Sequence, residues 1–225
     1  MNFSDIRFKF VKLIYADHNS SKSVQRALNK VINSLGENEL GLNVGAGTSK
    51  LGKNIRNLDI QPGENIDYVG KAEAIPVEDN FFSIIITQET LEHVKSPLAA
   101  IHEIYRVLKP NGLLYCQLPF IIGYHPGPTD YWRFSKEGIV ELVEIAGFEV
   151  EECGLSVGSG TGFYRISVEF FSILLSIIFP FLYHFLKAFF AVLLYPIKWL
   201  DGLMNYSPHK DRIAGGYYVI AKKKQ

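Results

Sequence analysis

Cysteine is nearly missing from this chain: 225 residues contain two, Cys116 and Cys153. Their spacing fits neither a redox pair nor a thiolate metal centre. Both border apolar runs, so they read as core or near-surface thiols of a reducing compartment, and no metal is expected. Net charge is missing too. Lys and Arg total 23 and Asp and Glu total 23. No overall basic field marks a nucleic-acid partner. The first residues, "MNFSDIRFKFVKLIYADHNS", lack the long apolar core of a secretory signal. No internal repeat or low-complexity tract is evident.

What is present is alternation of two periodicities. Val24, Leu28, Val31, Ile32 and Leu35 recur at helical spacing, which predicts a helix over 20–35 ended by Gly36. Short apolar runs at 40–44, 55–60, 66–70, 81–87 and 113–120 predict strands. "FFSIIIT" at 81–87 is continuously apolar, as suits a parallel strand buried on both faces. Helices are expected over 96–110, with Ser96 as cap and Pro97 in the first turn, and over 135–147. "FEVEECG" (148–154) and "GGYYVIAKKK" (215–224) complete the strands. The fold class expected is α/β: a doubly wound, mostly parallel, Rossmann-like seven-stranded sheet with an antiparallel C-terminal strand. The chain divides into an N-terminal helical segment (1–37), a sheet domain (38–154 and 213–225) and an apolar helical insert (155–212).

In such sheets ligands bind beyond the carboxyl ends of the strands. The turn in "GLNVGAGTSK" (41–50) lies at such an end. It is not a phosphate loop, because Lys50 is followed by Leu51, and not a dinucleotide fingerprint, because position 50 is not glycine. A structural turn without ligand is the competing reading. Asp59 ends the next strand, where a carboxylate can accept hydrogen bonds from both ribose hydroxyls. Together the two features favour a nucleoside ligand lacking pyrophosphate.

"LNVGAGTS", "NLDI", "GKAEAIPVEDNFFSIIITQETLEHV" and "IYRVLKPNGLLYCQLPF", in that order, resemble the motifs of class I S-adenosylmethionine-dependent methyltransferases of the small-molecule type. The likeness covers about 38–154 and the final strand. It departs from the pattern at Asn43, Ser49 and Lys71. The resemblance implies S-adenosylmethionine as cofactor. Asn43, Gly45, Ala46 and Gly47 would form the first motif, whose glycine turn wraps the methionine half. Asp59 would take the ribose and Ile60 pack on the adenine. Ala72 and Glu73 would line the adenine edge, with Thr87 and Gln88 beneath the sulfonium.

The loop "PFIIGYHPGPTDYWRFS" (119–135) follows the fifth strand, over that site. It resembles a segment of methyltransferases that accompany surface-glycan synthesis. O-methylation of a sugar hydroxyl benefits from a general base, and histidine is the usual one. His125 is the first candidate and His93 the second, with Asp130 to orient the base. Tyr124, Tyr131 and Trp132 could contact a sugar, and Arg133 could hold an anionic group. The competing reading makes Trp132 a lid anchor and Asp130–Arg133 a structural ion pair.

From Phe163 to Leu200 the chain is apolar and aromatic, with no formal charge between Glu169 and Lys187. A spanning helix needs roughly 20 apolar residues; Pro180 and Pro196 cut this stretch into shorter runs. If 148–154 and 215–224 are neighbouring strands, both lie on one side of any membrane and a single crossing is excluded. A shallow helical hairpin bent at Pro180, with Tyr183, Lys187, Tyr195, Lys198 and Trp199 at the interface, is expected on the cytoplasmic face. A homodimer interface or soluble cap competes with it. The expected acceptor is a glycan or lipid-linked sugar. A membrane quinone or lipid, or a non-catalytic scaffold of the same fold, is the alternative.

Overall fold

A computed structural model describes residues 21–225; the first part of the N-terminal segment lies outside them. Helix α1 (Lys22–Ile32) starts where the Ser21 hydroxyl accepts the Val24 N–H. It buries Val24, Ala27, Leu28 and Val31, the stripe that its spacing demands. Strands β1 (Gly41–Val44), β2 (Ile55–Asp59), β3 (Tyr68–Val69) and β4 (Phe82–Gln88) follow. Then come α2 (Pro97–Val107), β5 (Leu108–Pro119), α3 (Lys136–Ile145) and β6 (Phe148–Val157). The insert contributes α4 (Ser159–Ser176), α5 (Tyr183–Leu193) and α6 (Asp201–Met204) before β7 (Gly216–Lys223).

The seven strands lie in the order β3-β2-β1-β4-β5-β7-β6. Those from β3 to β5 are parallel, and β7 runs antiparallel to both neighbours. The alternation of β4 explains the two-sided burial. Ile84 and Ile86 pack under α1 with Val24, Leu28 and Tyr115. Ile85 faces the opposite layer, with Ile101, Ile104, Val107, Ile139 and Val143 of α2 and α3. Cys116 is fully buried in that second layer, and burial pushes its thiol pKa well up; Cys153 is half-buried, and both are free.

Several boundaries differ from the sequence reading: α1 ends at Ile32 with Asn33 as its cap, not at 35 before Gly36, and β6 runs on to Val157. Helix α2 stops at Val107, not 110, because Leu108 already pairs with Phe82 in the sheet. Asn111 takes a left-handed φ of 64° within the bulge that resets the β4–β5 register. β3 shrinks to two residues, paired with the end of β2.

The insert leaves β6 at Val157 and returns to β7 at Gly216, and these two residues are partners across the ladder. Asp201 at the start of α6 ties its base. It accepts the Gly160 N–H at 2.7 Å and the Thr161 N–H at 3.2 Å, satisfying open donors at the start of α4. A side chain at Gly160 would meet the Ile197 carbonyl at 2.8 Å, so this contact needs glycine. Tyr164, Val168, Phe190 and Ala191 form a small core of its own.

Candidate active site

A cavity of about 540 Å³ opens beyond the carboxyl ends of β1, β2 and β4, at the point where the strand order reverses. Its size suits a small-molecule ligand. Its floor is the turn after β1. Gly45 and Gly47 have φ of 72° and 54°, in the region that favours glycine. A Cβ on Gly45 would strike Thr90 at 2.2 Å, whereas one on Gly47 would meet nothing within 4 Å. Gly45 is therefore required by packing. Gly47 presents bare backbone to the cavity.

Asp59 closes the turn. One carboxylate oxygen accepts the Gly47 N–H at 2.8 Å and the other accepts the Gln61 N–H at 3.0 Å. Each oxygen keeps a lone pair, and the residue stands in the cavity wall. Beside it Ile60 is 54% exposed, an apolar face open to a ring. Ala72 and Glu73 form the opposite edge. A carboxylate for a diol, an apolar face for a base and a bare glycine turn fit S-adenosylmethionine.

Asn43, Ala46, Thr87 and Gln88 do not reach this cavity. Asn43 is buried and donates to Ser49 Oγ at 3.0 Å and Asn57 Oδ1 at 3.1 Å, bracing the turn from behind. Ala46 is 5% exposed and packs inward. Thr87 is fully buried, and its hydroxyl has no hydrogen-bond partner among the described residues. Gln88 donates to Gln117 Oε1 at 3.2 Å. The wall position after β4 belongs to Glu89, which the sequence reading passed over. Glu89 has a left-handed φ of 52°, uncommon for a residue with a side chain, and this turns it into the cavity. Burial, and after it the Glu92 carboxylate, pushes its pKa up to about 8. An acidic residue directly after the fourth strand was the signal that could have found it.

The loop after β5 divides its residues between two cavities. Tyr131 lines the main one, beside His93 from the turn after β4. Tyr124 and His125 line a second, of about 300 Å³, walled by Tyr164, Arg165, Glu169 and Lys187 of the insert. Asp130 and Arg133 form a two-pronged ion pair, at 2.5 and 2.6 Å. Arg133 holds the Asp130 pKa down at about 2, and Arg133 is thereby committed to the loop itself. The Trp132 indole donates to the Val94 carbonyl at 3.0 Å, pinning the loop across the segment after β4.

Glu92 lies between the two histidines. Its side chain is 0% exposed, and Oε1 is 3.6 Å from Nε2 of both His93 and His125. The Glu92 carboxylate raises the His125 pKa, against burial. In the segment Leu91–Val94 the sequence points to His93 as a base and not to Glu92. Burial of a carboxylate between two imidazoles is invisible until the β5 loop folds over it.

A family model described as a methyltransferase domain matches residues 30–116. A ubiquinone/menaquinone biosynthesis C-methyltransferase from a Ruegeria species is 41% identical over 111 residues, 48% of this chain and 40% of that protein. A probable S-adenosylmethionine-dependent methyltransferase from Mycolicibacterium smegmatis is 29% identical over 106 residues, 44% of this chain and 41% of that protein. The matched stretch thus spans well under half the length of these curated relatives. The solved phosphoethanolamine N-methyltransferase 2 of Haemonchus contortus, in complex with S-adenosylhomocysteine, shares the fold. Its TM-score is 0.57 at 17% identity, covering 99% of this chain and 58% of that one. Residues 30–116 thus match a methyltransferase domain, and the sheet order and the cavity at its switch point have the fold of S-adenosylmethionine-dependent methyltransferases.

Proposed function

We propose that the protein methylates a small-molecule acceptor carried on a lipid, working at the cytoplasmic face of a membrane. One observation carries the reading. The main cavity, with Asp59 and the bare Gly47 turn in its wall, stands next to a loop whose far side faces an apolar insert. Bound S-adenosylmethionine supplies an already activated methyl group on a sulfonium. The chain's own tasks are to hold the ribose with Asp59, flank the base with Ile60 and Ala72, align the acceptor and exclude water. A hydroxyl acceptor must also lose its proton. The imidazole on the main cavity wall is His93, backed by Glu92, so this cluster supports an O-methylation of a lipid-linked sugar.

A second reading takes a carbon acceptor on a membrane quinone, which needs less base assistance. The relative whose name describes a quinone biosynthesis C-methyltransferase favours it.

Membrane attachment is supported by what the insert leaves uncovered. Ile178 and Phe181 are each 78% exposed and Trp199 is 72% exposed. Apolar patches of this kind mark interaction surfaces. No single helix among the described residues is long and apolar enough to cross a membrane, but the bent pair Pro180–Leu193 and Tyr195–Met204 passes by length and composition, with a 44° break. Together with the return of the chain at paired strands, this favours a hairpin that enters and leaves on one side.

The test uses labelled S-adenosylmethionine and vesicles made from bacterial lipid extract. Label in the lipid fraction, released as an O-methyl sugar or retained on a quinone ring, separates the two acceptors. Failure of a folded protein to bind S-adenosylhomocysteine calorimetrically would leave only the scaffold reading.

A further inference from the structure

The Glu92–His93–His125 cluster presents three donor atoms to one another, and their hydrogen bonds decide which face carries protons. His93 Nδ1 is 2.5 Å from the Thr129 carbonyl, an acceptor only, so this nitrogen carries the ring hydrogen. His125 Nδ1 has the Gly123 carbonyl at 3.2 Å and Asp130 Oδ2 at 3.5 Å, both acceptors. Arg133 Nη2 lies 3.3 Å from the same nitrogen, but its two hydrogens already serve Gly123 O at 3.1 Å and Asp130 Oδ2 at 2.6 Å. His125 Nδ1 therefore carries its hydrogen as well. In both neutral rings Nε2 is left as a lone pair, and both lone pairs sit 3.6 Å from the same Glu92 oxygen.

That arrangement lacks a positive centre. Both Glu92 oxygens and His125 Nε2 are buried with no hydrogen-bond partner among the described residues. A buried carboxylate facing two lone pairs is strongly unfavourable on its own. A direct imidazolium–carboxylate bond would close to about 2.8 Å, well short of the 3.6 Å seen. Two metal bonds of about 2.1 Å at a tetrahedral angle instead hold their donors about 3.4 Å apart. One ligand atom from each of the three residues lies within 4.8 Å of the others. Carbonyl groups holding the Nδ1 hydrogens are the usual support for imidazoles that bind metal through Nε2.

We propose that Glu92, His93 and His125 form a binding site for one divalent transition-metal ion of the zinc class. Two imidazoles and a carboxylate suit such borderline cations better than Mg²⁺ or Ca²⁺. Three protein donors leave at least one coordination position open. Two ligands come from the short turn after β4 and one from the loop after β5, so the ion ties the wall of the main cavity to that of the second. A filled site takes up the His93 Nε2 lone pair, so base assistance to a hydroxyl acceptor would pass from that imidazole to the ion's open position, whereas a carbon acceptor is unaffected.

The test takes tag-free full-length protein, strips it with chelator and titrates it with Zn²⁺, then with Co²⁺. The expected result is one equivalent of Zn²⁺ per chain, a raised melting temperature and Co²⁺ absorption bands of tetrahedral intensity. Glu92→Gln keeps the shape and removes the charge; it weakens Zn²⁺ binding by about 100-fold or more. His125→Asn, at the more exposed ligand, does the same if Glu92→Gln fails to fold. S-adenosylhomocysteine binding and circular dichroism report on the fold of each variant. No Zn²⁺ retained by the native chain, or equal Zn²⁺ affinity in a folded Glu92→Gln or His125→Asn variant, overturns the proposal.

Discussion

At the scale of single residues, the cofactor end of the site depends on a carboxylate that does two jobs. Asp59 is oriented by the Gly47 and Gln61 N–H groups, so its position is set before any ligand arrives. Hydrogen bonds to a charged group contribute about 1.5–3 kcal/mol each. Asp59→Ala is expected to weaken S-adenosylhomocysteine binding by roughly 10- to 150-fold in calorimetry, the equivalent of one such bond; unchanged affinity would remove Asp59 from the ribose site. The place of Asp59 in the cavity wall was legible, because a residue ending the second strand stands at the carboxyl edge of the sheet. Glu89 was only half legible: an acidic residue directly after the fourth strand is a signal, but the left-handed backbone that turns it into the wall is not written in any sequence pattern. Asn43 shows the converse. Its position matched a motif, yet its amide is spent inside the fold on Ser49 and Asn57.

Among elements, the segment 71–79 that walls the base side of the cavity has almost no regular structure, and α2 holds it. Arg106 donates to the Ile75 carbonyl at 2.9 Å, the Val77 carbonyl at 2.8 Å and Asp79 at 2.8 Å, and pairs with Glu103 at 2.8 Å. Glu103 in turn accepts the Ile75 N–H at 2.9 Å. Arg106 is about a third exposed, so Arg106→Met is expected to cost about 1–3 kcal/mol of stability in urea unfolding. It also weakens S-adenosylhomocysteine binding, because Ala72 and Glu73 lose their anchor. Arg106 also lowers the Glu103 pKa. A carboxyl with a lowered folded pKa contributes its full stability above its unfolded value of about 4.3, and loses it as the pH falls through the folded value. The native protein should thus lose more stability between pH 5 and pH 3 than Arg106→Met, each range read by urea titration at about those two values. The strands and helices themselves were legible from periodicity. Their ends were not, because pairing such as Leu108 with Phe82 is a tertiary choice.

For the whole molecule, the question is what the insert covers. The sheet needs a route from β6 to β7, and that route is an apolar excursion between two paired residues, Val157 and Gly216. Such pairing forces both ends of the excursion to one side of any bilayer, an inference open to the sequence once 148–154 and 215–224 were read as neighbours. The double bend, at Pro180 and again near Leu194, was legible at both places, since Pro180 marks the first and Pro196 the second; the hydrogen bond from Tyr164 to the Ala191 carbonyl, which also ties the insert together, was not. Burying a large apolar side chain is worth about 1.5–3 kcal/mol. Replacing Phe181 and Trp199 together by Ser is therefore expected to lower vesicle co-sedimentation by at least about tenfold while leaving S-adenosylhomocysteine affinity unchanged. A native protein that ignores vesicles and elutes as a dimer, and becomes monomeric with the same two substitutions, would instead assign this surface to a second copy of the chain.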